Sequence, residues 1–438
     1  MTPSPARNPA APRFACHSRA CRMVPGAAFV GGILVLAACS RAADARSGGA
    51  GHDAWTAALE IPSAGAFSAH DHRVAELQAG PDGALHALFL DDVDGDGQTD
   101  RLLYAGFDGA AWSRPLPLDD TPGVTDAPAL VVQGDAVHLL WLEAGDLRHL
   151  ARLTTVMHRV RSGGQWSEPA PLYRTRGGES IPNGLAAVRD GGVHAVHHGA
   201  DGRLVHRVYG ESGWGSPRTV GGDGMELDLV AGPGGTLAAA GTGTFPHPLM
   251  GPGGTARNDP WVRIFRGGRW TEPVPVHHLP AEHSHTPRVR WTRDGVLHAV
   301  WLEGEHGELL ATRLLHATSR DGRSWSAPVE AEPRRSGGPF YSPRLAVDGR
   351  GTLHLTFARF RAGMADPRHF HATFDGARWS LPREILPGEG VRDSELETAV
   401  DGEGRLHAVW KAADGGYRHA VLELRGGASA DPGPRTPA

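Results

Sequence analysis

The densest potential metal-ligating chemistry in this chain is Asp92-Val93-Asp94-Gly95-Asp96-Gly97-Gln98-Thr99-Asp100, with four carboxylates inside nine residues. Charges so close repel one another unless a cation lies among them. Acidic oxygens at positions 1, 3, 5 and 9 of such a loop, with glycine at position 6, wrap a hard ion such as Ca²⁺. Gln98, at position 7, contributes a backbone carbonyl, and position 12 is Leu103 rather than an acid. We therefore expect structural Ca²⁺ on Asp92, Asp94, Asp96, Gln98 and Asp100, against the alternative of a solvated acidic hairpin.

Histidine is abundant, with 25 in the chain. Six of them (His86, His138, His194, His298, His354, His407) and five more (His158, His206, His316, His371, His419) recur at two fixed places in a long repeat, as scaffold residues do. The unrepeated ones, His70, His72, His197, His198, His277, His278, His283 and His285, carry more functional information. The run 277–285 offers four imidazoles and Glu282 to a zinc ion, but no helix or strand would converge that spacing, which favours a polar loop rim. Close by are Arg288, Glu303, Tyr341 and Arg344, which with His285 form the catalytic candidates; Arg359, His197, His198 and His283 are the binding candidates. Arginine matters here because its planar fork grips a carboxylate through two parallel hydrogen bonds. No HExxH, Gly-x-Ser-x-Gly or phosphate-loop string occurs.

These residues must be positioned by a repeat. Trp112, Trp166, Trp214, Trp270, Trp325 and Trp379 are spaced by 54, 48, 56, 55 and 54 residues, each followed by a Ser, Thr or Gly and soon by a proline. Each unit reads as short apolar segments, alternating with period two and bounded by Gly, Asp or Pro turns, then the tryptophan segment. Seven second segments can be counted, from Leu85-His86-Ala87-Leu88-Phe89 to Leu406-His407-Ala408-Val409-Trp410. The seventh unit lacks its tryptophan segment, and residues 54–62 carry one around Trp55. The pattern predicts an all-β, seven-bladed β-propeller over residues 53–425, closed by the N-terminal strand, with six or eight blades as alternatives.

The turn Ser319-Arg320-Asp321-Gly322-Arg323-Ser324-Trp325 resembles the Asp-box of the sialidase-like (BNR-repeat) superfamily, one residue short, and partial versions precede Trp112 and Trp379. The resemblance implies a propeller in which the aspartate caps the turn and the tryptophan packs between sheets. The Phe/Tyr-Arg-Ile-Pro string of sialidases is missing and their blade number is six, so their catalytic residues are not carried over. Similar seven-bladed polysaccharide lyases use His and Tyr with Arg beside a uronate carboxylate, which implies that role for His285, Arg288, Tyr341 and Arg344. The acidic loop is similar to the calcium loops of integrin-type propellers.

Residues 1–38 read as a lipoprotein-type signal peptide: arginines precede an apolar run ending in Leu36-Ala37-Ala38-Cys39, which resembles the bacterial lipobox with Cys39 as the lipidated residue. Residues 39–52 then form a flexible tether and 426–438 a disordered tail. All three cysteines precede the repeats, so no disulfide framework is expected. The net charge of −5 offers no footprint for nucleic acid. The expectation is a protein exported and lipid-anchored to the bacterial envelope, at the outer membrane or cell surface, that binds a glycan or protein ligand on its loop face without sialidase activity. The alternative is a carbohydrate-active enzyme, either a polysaccharide lyase or a glycoside hydrolase.

Overall fold

Each repeat folds as one antiparallel sheet because its apolar segments alternate in period two and are joined by turns that only a reversing chain can make. The computed structural model describes residues 54–118, 124–144, 155–174, 185–199, 203–221, 224–243, 259–277, 282–305, 311–332, 338–362, 365–388 and 390–423. The signal peptide, the tether with Cys39, His278 and the tail lie outside the described residues. Seven sheets of four or five strands follow one another, and this is the seven-bladed propeller expected from the repeat. Blade 1 runs from inner strand His72–Ala79 through Leu85–Asp91 and Arg101–Phe107 to outer strand Leu116–Pro117. The inner strands of blades 2 to 7 are Val124–Gln133, Leu185–Arg189, Met225–Ala231, Glu282–Trp291, Phe340–Val347 and Val391–Val400.

Blade 7 is closed from the other end of the chain. Ala54 and Trp55 pair with Glu423 and Leu422, and Leu59, Glu60 and Ile61 pair with His419, Arg418 and Tyr417. Closure covers a strand edge that would otherwise pair with other chains. It also buries Ile61 completely, in one cluster with Leu77, Phe89 and Tyr417.

The core lies between the sheets. Phe89, Trp141, Trp301, Phe357 and Trp410, at one position of the second strand, are all at most 2% exposed and belong to the core. Blade 4 has Gly241 there; a Cβ on it would stand 2.7 Å from the Trp261 ring, which fills the space.

The repeated histidines pair within their blades. Nδ1 of the second-strand histidine meets Nε2 of the third-strand histidine in His138/His158 (3.1 Å), His194/His206 (2.9 Å), His298/His316 (3.0 Å), His354/His371 (2.9 Å) and His407/His419 (2.9 Å). Blade 1 substitutes Tyr104, whose hydroxyl lies 2.7 Å from His86 Nδ1. In blade 4 the same two places hold Ala238 and Val262, both fully buried and apolar. Burial lowers His138, His158 and His298 to about 4 and His316, His371 and His419 to about 3, so at neutral pH these rings are neutral, and in the His138/His158 and His298/His316 pairs one ring donates and the other accepts. The third-strand ring then meets the next blade's tryptophan edge-on: His158 on Trp214, His206 on Trp270, His316 on Trp379, His371 on Trp55 and His419 on Trp112. Trp55 thus completes, from the N-terminal strand, the same contact made by tryptophans inside the repeat. At the adjoining turns Asp321 accepts the amides of Arg323 and Ser324, both at 2.8 Å, and Asp108 and Asp375 do likewise, so these carboxylates cap their turns.

Candidate functional site

Six inner strands slip register: between Val74 and Glu76, Asp126 and Ala129, Met225 and Asp228, His285 and Arg288, Tyr341 and Arg344, and Val391 and Leu396. In four of them the slip holds a non-glycine residue with positive φ: Ala127 (45°), Glu226 (55°), Thr286 (46°) and Ser342 (47°). Such a conformation costs of order 1 kcal/mol or more, and bulges re-aim side chains beside functional sites. All four residues line one cavity of about 850 Å³, to which the inner strands of all seven blades contribute.

Counted from the second-strand histidine position, one place on each inner strand pairs with the residue two further along. It holds Glu76, Ala129, Asp228, Arg288, Arg344 and Glu397 in blades 1, 2, 4, 5, 6 and 7. Blade 2 contributes only apolar residues to the lining, among them Ala127, Pro128, Ala129 and Val131, whereas blades 4 to 7 and blade 1 contribute an arc of charge.

Within that arc most charges are spent on one another. Arg344 holds Glu397 in a two-pronged pair, Nε donating to Oε2 at 2.8 Å and Nη2 to Oε1. Burial works against the Arg344 cation, yet the Glu397, Glu395 and Glu76 carboxylates together outweigh it and raise its pKa. Arg290 donates to Asp228 at 2.7 Å. The carboxylates of blade 4 also serve the edge strand of blade 5, where Glu226 accepts the Thr286 amide and Asp228 the Val289 amide, both at 2.8 Å. These are N–H groups that point off the sheet and have no ladder partner. Glu76 is pushed up to about 7, first by burial and then by the nearby Glu397 carboxylate. The Arg288 pKa is lowered, first by burial and then by the positive charge of Arg344. Arg288 Nη1 donates to the carbonyl of Pro287 at 3.1 Å, and among the described residues Arg288 has no carboxylate partner.

Of the catalytic candidates, His285, Arg288, Tyr341 and Arg344 meet in this cavity, and Glu303 does not line it. Glu303 is 1% exposed, with its carboxylate on Arg313 at 2.8 Å and near the Trp301 indole nitrogen at 3.4 Å. The binding candidates Arg359, His197, His198 and His283 are not among the residues that line this cavity. Arg359 donates to the Gly338 carbonyl and lies over the Phe340 ring at 4.7 Å. His197 is fully buried against Tyr173, with Nδ1 on the His198 carbonyl, while His198 reaches the Gly224 carbonyl in blade 4 at 2.8 Å. His283 stacks on His285 with ring centres 6.1 Å apart. Sequence reasoning missed Glu76, Glu226, Asp228 and Arg290. The available signal was the recurrence of charge at one inner-strand place, visible only once the bulge is counted.

In the acidic loop the oxygens of Asp92, Asp94 and Asp96 all lie within 4.8 Å of one another. Asp92 is 4% exposed and accepts the amides of Gly95 (2.7 Å) and Gly97 (2.9 Å). Asp100 takes the Val93 amide at 3.0 Å across the loop, and its pKa is raised, first by burial and further by Asp94, Asp92 and Asp91. Glycine is required at 95, where φ is 80° and a Cβ would meet the His70 ring at 2.6 Å.

No protein-family model and no curated protein matches this chain. Among solved structures it is similar to a protein of unknown function from Dyadobacter fermentans, at 14% identity and TM-score 0.52, over 84% of this chain and 98% of that one. An ulvan lyase of a polysaccharide lyase family is similar at 11% identity and TM-score 0.54, over 81% and 94%. A Hadza microbial sialidase is matched at 12% identity and TM-score 0.49, over 84% and 68%. At these identities the likeness is one of fold, and what the chain shares with the first two is the β-propeller itself.

Proposed function

We propose that this propeller is a binding module that takes an acidic glycan in its central cavity without turning it over. The observation that carries this reading is the lining itself, in which an apolar wall from blade 2 faces an arc of charge from blades 4 to 7 and 1. A sugar acid presents C–H faces, hydroxyls and a carboxylate together, and such a cavity matches all three. The alternative is a lyase, favoured by Tyr341 and His285 lining the same cavity as Arg288. The test is calorimetric titration of the propeller with uronate and neutral oligosaccharides, with ultraviolet absorbance followed for an unsaturated product. Binding without new absorbance supports the module, and new absorbance supports the lyase. Binding of no sugar rejects both and leaves a protein ligand.

We further propose Ca²⁺ as a structural ion held by Asp92, Asp94, Asp96, Asp100 and the Gln98 carbonyl. The convergence of three carboxylates supports it. Export and lipidation at Cys39 remain part of the proposal on the strength of the Leu36-Ala37-Ala38-Cys39 string.

A further inference from the structure

Blades 5 and 6 repeat a short motif in the cavity wall, His285-Thr286-Pro287-Arg288 and Tyr341-Ser342-Pro343-Arg344. The two copies share a conformation. Thr286 and Ser342 have φ of 46° and 47°, the register slips at the same place, and each arginine Nη1 donates to the carbonyl of its own preceding proline at 3.1 Å. The arginines differ in what the next blade sets beside them. For Arg344 the corresponding inner-strand residue of blade 7 is Glu397, which fills the Nε/Nη2 fork; for Arg288 the corresponding residue of blade 6 is Arg344, a second cation.

We infer that Arg288 is a carboxylate seat left open by the repeat, where a carboxylate of the bound ligand occupies the place that Glu397 occupies on Arg344. The internal copy supplies the geometry, since a planar carboxylate accepts from Nε and Nη2 together. Arg344, closed by Glu397, is then a positioning residue, and the positive charge of Arg344 opposes that of Arg288, an opposition that an incoming anion relieves. The ligand class is a monosaccharide or oligosaccharide acid bound through one carboxylate per propeller, its remainder against the apolar wall of blade 2. This inference rests on the cavity being the glycan site.

The experiment titrates the propeller with glucuronate, its methyl ester and acetate, following the Arg288 Nε–Hε signal by NMR, assigned by its loss in Arg288→Lys. Glucuronate should shift that signal and bind more tightly than the ester, and the Arg288→Gln protein should weaken glucuronate binding by about 10- to 100-fold. Arg288→Lys keeps the charge and loses the fork, so it should weaken the acid and leave the ester unchanged; melting curves establish that both variants fold. Equal binding of acid and ester, unaffected by either variant, overturns the seat and leaves a site for neutral sugars. A shift of the Arg288 signal by acetate with no response to either sugar keeps the seat and overturns the glycan reading. No shift with any of the three overturns both.

Discussion

Acidification to about pH 5 should destabilise this propeller before most of its carboxylates titrate, because the histidine pairs hold rings that the fold keeps neutral. Seven of the paired rings, with at least one in every pair (His138, His158, His206, His298, His316, His371 and His419), have pKa values of about 4 or about 3 in the fold, against 6.5 when free. Above pH 6.5 both folded and unfolded chains are neutral at these sites, and their contribution to stability is complete. As pH falls from there toward the folded values, the unfolded chain takes up protons and the folded chain does not. Stability then drops by about 1.4 kcal/mol per pH unit for each proton. At about pH 5 one such site has lost about 2 kcal/mol. Counting each pair as a single site, because protonating the accepting ring already breaks its hydrogen bond, the five pairs lose about 10 kcal/mol. That is comparable with the whole stability of a domain, about 5–15 kcal/mol. Guanidinium unfolding between about pH 7.5 and pH 5 measures the loss. Blade 4 supplies the control, since Ala238 and Val262 stand in for the pair there. Replacing His298→Ala with His316→Val should make the slope shallower and recover about 2 kcal/mol in acid relative to neutral pH. A stability that stays flat across this range, or an unchanged slope in the double variant, would refute the reasoning.

Removing residues 53–62 should uncover the edge of Tyr417–Glu423 and give aggregation on size-exclusion chromatography, and Ile61→Ala alone should cost about 2–5 kcal/mol in thermal or denaturant melts. If Ca²⁺ fills the acidic loop, a chelator lowers the melting temperature, and Asp94→Asn with Asp96→Asn abolishes that sensitivity; a melt indifferent to chelator argues against the ion. Arg344→Ala strands the buried Glu397 carboxylate, so denaturant unfolding should show a loss of about 3–5 kcal/mol, a structural cost distinct from any loss of ligand. Glu76 has its folded pKa raised to about 7, so its contribution to stability is lost as pH rises through that value. Glu76→Gln should therefore stabilise the protein at alkaline pH, by on the order of 1 kcal/mol or more, and make little difference in acid.

The sequence alone determined the repeat, the number of blades and the closure by residues 54–62, because period-two alternation and a recurring tryptophan are local signals that every copy must carry to fold. It also marked the eleven periodic histidines as scaffold. The same alternation was sufficient to bring His285, Arg288, Tyr341 and Arg344 to one wall, since strands from successive blades must share a central axis. Tertiary structure decided which of these groups are occupied. Glu303, Arg359, His197 and His198 turn into their own or adjoining blades because strand ends beyond the ring have neighbours that no local pattern encodes. Arg344 is closed by a carboxylate 53 residues away and its twin Arg288 is not. That difference follows from the identity of one residue in the next blade, and it becomes visible only after the bulges set the register and the ring sets the blades side by side.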